Sequence, residues 1–150
     1  MSFADDIKKF AEKTNNTIDE VVVHFILDLS ERVIVKTPVE TGWAKNNWVA
    51  TVGAPNTGVP NSADKLGQDA LNGVLFTALS ALGKVYYLTN NVEYINVLEY
   101  GGFPNPPKQG TGLTAGGFSL KAPRGMARLG VMAAKKEMMR KVRRGYGSVR

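Results

Sequence analysis

The sequence predicts an α+β fold: a small antiparallel sheet packed by two to three helices, with a long extended arm rich in Gly and Pro. Three observations lead there. Residues 17–36 form an amphipathic run with its own capping signal, residues 66–82 repeat apolar side chains at three- and four-residue spacing, and residues 43–52 and 84–89 have strand character. With 150 residues, 43% of them apolar, the chain supports a single domain, 1–150, that buries about 70% of the surface its unfolded form exposes. Within it, 1–16 reads as an N-terminal segment, 101–121 as the arm and 143–150 as a basic tail.

Met1–Phe10 is amphipathic but shows no clear cap before Ser2, and Thr14, Asn15 and Asn16 interrupt it; a short helix or a mobile arm is expected. Thr17 followed by Glu20 is a capping box, in which each side chain satisfies a backbone N–H of the other. Beyond it Ile18, Val22, Phe25, Ile26, Leu29 and Val33 share one helical face for the core. Val23, Leu27 and Ile34 form a thinner second stripe, which fits contact with another subunit or wider burial in the same domain. Pro38 pushes Thr37 out of the helical region, so this helix should end near Lys36.

Glu40, Thr41 and Gly42 read as a turn, and Trp43–Val52 as a strand with Trp48, Ala50 and Val52 on one side. The second helix is expected from Leu66 to Leu82, with Ser62 as cap and Gly83 after it. Lys84–Thr89 favours a strand closed by the Asn90–Asn91 turn, and Glu93–Tyr100 a helical turn rather than a second hairpin strand. Gly101–Lys121 holds six Gly and three Pro in 21 residues, yet Phe103, Leu113, Phe118 and Leu120 argue for an arm that orders against a partner. A last helix starts at Pro123 or Arg124. Met126, Leu129 and Ala133 fall on one side of it and Val131, Met138 and Val142 nearly opposite, so two surfaces should grip it, with fraying beyond Val142.

The net charge of +6 is unevenly placed: residues 121–150 carry ten Lys or Arg against the single acid Glu137, leaving residues 1–120 slightly acidic. Arg124, Arg128, Lys135, Lys136, Arg140, Arg143 and Arg144 are therefore candidates for contact with DNA or an acidic partner. Cysteine is absent, which excludes disulfides, thiolate metal sites and cysteine nucleophiles. No apolar run is long enough for a membrane span, and Asp5 and Asp6 spoil a secretory signal, so a soluble protein made in the cytoplasm is expected.

Catalytic signals are weak. His24 is the sole histidine, with Glu20, Asp28 and Glu31 along the same helix, and reads as a surface residue rather than a metal ligand. No glycine loop has phosphate or dinucleotide spacing, and no serine sits in a nucleophile elbow. Glu99, just before a double glycine, reads as an anchor for a backbone N–H or an Arg. No catalytic residue, cofactor or metal is assigned. A hydrolase would have to rest on His24 or Glu99.

Three patches recur in one order: Thr37-Pro38-Val39-Glu40-Thr41-Gly42 with Asn46, Asn47 and Trp48; Tyr86 to Asn91, Tyr94 and Leu98-Glu99-Tyr100-Gly101; and Ala122-Pro123-Arg124-Gly125-Met126. Together they resemble the neck and tail-completion proteins of tailed bacteriophages, over about residues 17–142. The resemblance implies a small, non-enzymatic α+β virion protein at the head-to-tail junction, assembled in the host cytoplasm into a ring with itself and contacting other neck, connector or tail proteins. Val23, Leu27, Ile34, Tyr94, Glu99, Tyr100, Phe103, Phe118 and Leu120 are then the candidate subunit contacts. The alternative is a non-specific nucleic-acid-binding accessory protein using the basic C-terminal segment.

Overall fold

The computed structural model describes residues 2–101, 114–115, 118–119 and 124–147. In chain order they form α1 (Phe3–Thr14), α2 (Ile18–Lys36), α3 (Trp43–Asn46), β1 (Val49–Val52), α4 (Gln68–Ala78) continued by a 3-10 turn at Leu79–Ala81, β2 (Tyr86–Thr89), α5 (Ile95–Tyr100), β3 (Thr114–Ala115), β4 (Phe118–Ser119) and α6 (Ala127–Gly147). The fold is α+β. It has more helix than expected, six helices among the described residues, and β1 pairs antiparallel with β2 in the register Val49↔Thr89 to Val52↔Tyr86.

Capping boxes start the first two helices. Ser2 Oγ accepts the Asp5 N–H at 3.3 Å while Asp5 Oδ2 accepts the Ser2 N–H at 3.1 Å, and Thr17 and Glu20 repeat the exchange at 3.2 and 3.1 Å. Ser2 is thus itself the cap, and the N-terminal segment is a 12-residue helix docked on the body. Its Ile7 and Ala11 are buried with Val21 of α2 and Met138 and Val142 of α6.

α2 is the centre of the molecule. Leu27 and Ile34 meet α4, whereas Val21, Phe25 and Val33 meet α6, and at about 100° per residue these sets lie on nearly opposite sides of α2. Ile26 packs at the far end of α4, on Ala78 and on Ala81, beside the sheet, where Ser30 Oγ and Tyr86 Oη share a hydrogen bond at 2.9 Å. The main core joins Val33, Ile34, Trp48, Ala70, Val74 and Met126.

Four expectations change. Trp43–Asn46 is a helical turn rather than strand, entered through Gly42 at φ 87°, where a Cβ would collide with the Asp64 backbone. The second helix is shorter, and Gly67 rather than Ser62 precedes it. The last helix begins at Ala127 and continues past Val142 to Gly147, while Pro123 lies outside the described residues. That helix also has one buried seam, not two: Met126, Gly130, Ala134, Met138 and Val142 are buried at four-residue spacing, whereas Val131 and Met132 are 47% and 66% exposed. Gly130 makes the seam possible, because a Cβ there would stand 2.7 Å from Val33 Cγ2.

Candidate functional site

The polar groups of the three sequence patches close the fold by linking segments far apart in the chain. Thr37 ends α2, where its Oγ1 donates to the Val33 carbonyl at 2.8 Å and accepts the Trp48 indole N–H at 2.8 Å. A buried indole N–H needs such a partner, and the β-branched hydroxyl at the helix end supplies it. Asn46, at the end of α3, caps α4 from outside: its Oδ1 accepts the backbone N–H groups of Asp69 and Ala70 at 3.1 and 3.3 Å, and its Nδ2 reaches Ser62 Oγ and Asp69 Oδ2. Hydrogen bonds from Asn46 and Ser62 hold the Asp69 carboxyl below its ordinary range.

Glu99 does the same for α6 with a full charge. Its carboxylate accepts the backbone N–H groups of Met126, Ala127 and Arg128 at 2.9, 2.8 and 3.0 Å, and Arg128 Nε at 2.9 Å. A negative charge at a helix N-terminus is favoured by the exposed N–H groups and by the helix dipole. Burial pushes the Glu99 carboxyl up, but the three backbone donors and the guanidinium outweigh it, leaving its pKa below the ordinary value. Gly125, at φ 88°, lets the chain pass so close to Glu99 that a Cβ would collide with its carbonyl oxygen.

No protein-family model, curated protein or solved structure matches this chain.

The residues expected at subunit contacts are scattered by the fold. Ile34 is fully buried, Leu27 is half-buried between α2 and α4, and Val23 packs toward Ala78 and Ala81, so the second stripe of α2 is covered by α4 of the same chain. Glu99 is 6% exposed and committed to α6, which removes it from the contact set. Tyr94 and Tyr100 are 45% and 63% exposed, the latter with the Arg128 guanidinium 4.6 Å above its ring. Phe118 is half-buried over Gly101 of its own chain, where a Cβ would meet its ring at 2.8 Å; this part of the arm turns inward. Phe103 and Leu120 lie outside the described residues.

The surface that sequence reasoning passed over is α4. Leu75, Phe76 and Leu79 are 59%, 84% and 70% exposed, and they share the side of the helix facing away from Ala70, Val74 and Ala78. Beside them an open groove of about 310 Å³ runs between α2 and α4, lined by Leu27, Leu71, Val74 and Leu75 with Glu31 at its edge. Leu75 and Leu79 belong to one broad apolar run at three- and four-residue spacing, 66–82, and that spacing alone does not tell inner from outer residues.

Arg124, Arg128, Lys135, Lys136, Arg140, Arg143 and Arg144 are all exposed. Arg140 pairs with Glu137 and Arg128 with Glu99. His24 is exposed, and among the described residues no group of three or more His, Asp or Glu is placed to hold a metal ion. No described helix is long and apolar enough to cross a membrane.

Proposed function

We propose that this chain is a structural subunit that joins the head of a tailed phage to its tail, assembling into a ring with copies of itself and contacting neighbouring neck, connector or tail proteins at the head–tail junction. The observation that carries this reading is the outward face of α4, where Leu75, Phe76 and Leu79 lie side by side in solvent. Three adjacent large apolar residues at such exposure are a surface that association would cover. Two further features support it. The residues that carry the family resemblance, Thr37, Asn46, Trp48 and Glu99, are engaged in closing the fold and not in presenting reactive groups. The apolar face of α4 and the basic face of α6 lie on opposite sides of α2, which gives a ring subunit one side for a neighbour and another for a different partner.

A ring uses a heterologous contact, in which one face meets a different face on the next copy and the rotation closes. Light scattering on the purified full chain, followed by electron micrographs of the protein alone and mixed with tails, tests this. Closed rings, alone or on tails, are the expected result. A monomer at every concentration, with no ring on addition of tails, would sink the reading.

A further inference from the structure

α6 turns most of its charge away from its buried seam, with exposed Lys141 standing nearer the seam. Gly130, Ala134, Met138 and Val142 are buried, and at about 100° per residue Lys136, Arg140 and Arg143 point directly away from that seam, flanked by Arg128, Arg144 and Lys135. These six exposed cations span about 24 Å of helix. The single acid on α6, Glu137, is paired with Arg140, and among the described residues Lys135, Lys136, Arg143 and Arg144 make no ion pair.

We propose that this outward face of α6 binds the phosphate backbone of double-stranded DNA without sequence preference. Duplex DNA presents one negative charge per roughly 1.7 Å, a density that a row of cations along a helix can follow. Residues 128–144 contain no Asn, Gln, Ser or Thr, so the face lacks the amides and hydroxyls that join in reading base edges, and its Lys and Arg are left to meet phosphate chiefly through charge. An acidic protein is the weaker occupant. The centres of protein interfaces are depleted in lysine, whereas this face carries Lys135 and Lys136 exposed and without an ion pair. The proposal goes beyond the ring and does not depend on it.

Fluorescence anisotropy of the full chain with two 30-base-pair duplexes of unrelated sequence tests it. Equal affinity for both is expected, weakening about 100-fold between 50 and 200 mM salt, as release of counterions by about four unpaired cations requires. Joint replacement Lys135→Gln, Lys136→Gln, Arg143→Gln and Arg144→Gln should remove most of the binding and flatten the salt dependence. The two double variants, Lys136→Gln with Arg143→Gln and Lys135→Gln with Arg144→Gln, should each remove about half the salt slope. A control with the charge loss of one double variant placed on the α4 side of α2, at Lys65 and Lys84, should bind within about threefold of the parent, because exposed charges beyond a Debye length are screened. The proposal fails if the control loses as much as an α6 double variant, if duplex does not bind at 50 mM salt, or if polyglutamate of equal charge competes as well as DNA. Ring size measured on the same variants separates the two readings: lost DNA binding in an intact ring overturns only this one, and retained binding without a ring only the other.

Discussion

Glu99 and Arg128 are joined through both backbone and side chain: the carboxylate accepts the Arg128 N–H at 3.0 Å and its Nε at 2.9 Å, and Arg128 Nη2 donates to the Glu99 carbonyl at 2.8 Å. The pair fixes the start of the longest helix to the end of the short α5, across 28 residues of intervening chain. Glu99→Ala strands three backbone donors and leaves the guanidinium without its carboxylate. Glu99 is buried while Arg128 is half exposed, so the loss is mainly that of the acceptor for the backbone donors and costs about 1–3 kcal/mol, to be read as a lower midpoint in urea unfolding of the full chain. Glu99→Gln keeps an acceptor and should fall between Ala and the parent. Unfolding midpoints of both variants within error of the parent would contradict this anchoring role.

The same anchor sets an acid dependence. The folded-state pKa of Glu99 lies below its unfolded value, so its contribution is fully present above the ordinary carboxylate range and is lost as pH falls through the folded-state value. Parent stability measured from pH 7 downward should decline below about pH 4.5 more steeply than that of Glu99→Gln. Parallel curves would place the acid sensitivity in other carboxylates.

Two helix glycines should respond in opposite directions to alanine. Gly73, inside α4, has open space where a Cβ would go, so Gly73→Ala gains helix propensity and stabilises by about 0.5–1 kcal/mol. Gly130→Ala gains the same propensity but drives a methyl into Val33, and overpacking of about 1–3 kcal/mol should outweigh it. Thermal melts of the two single variants give the comparison. A stabilised Gly130→Ala would mean that α2 and α6 can separate without loss.

Thr37→Val preserves shape and removes both hydrogen bonds of the hydroxyl. Leaving the buried Trp48 N–H without an acceptor should cost about 1–3 kcal/mol, while Thr37→Ser, which retains the hydroxyl, should cost less. Denaturant unfolding followed by tryptophan fluorescence measures both.

Phe76→Ser removes the most exposed member of the α4 face. At 84% exposure its loss should change monomer stability by less than about 0.5 kcal/mol, yet it should shift assembly to higher protein concentration in light scattering. An unchanged assembly curve for Phe76→Ser and for Leu79→Ser would move the ring contact to another face.

Much of the fold was legible because its cues are local. Thr17 and Glu20 cap a helix they begin, Pro38, two residues beyond its last residue Lys36, stops it, and the aromatic run at Tyr86–Thr89 is a strand. The role of Glu99 as an anchor was legible too, from an acid beside two glycines. Trp43–Asn46 was misread because the alternation that marks β1 starts only at Trp48, and the cap that Asn46 provides serves a helix more than twenty residues on.

By itself the sequence determined where α2 starts and stops, which residues are apolar, and that its positive charge gathers at the C-terminal end. Which apolar stripe is covered was decided only by tertiary structure: α4 hides the second stripe of α2 and exposes its own Leu75, Phe76 and Leu79 instead. Helical periodicity records only the faces of a single helix. Burial depends on which neighbour arrives, and here that is set by Gly130 at Val33 and by Asn46 and Glu99 reaching across the chain.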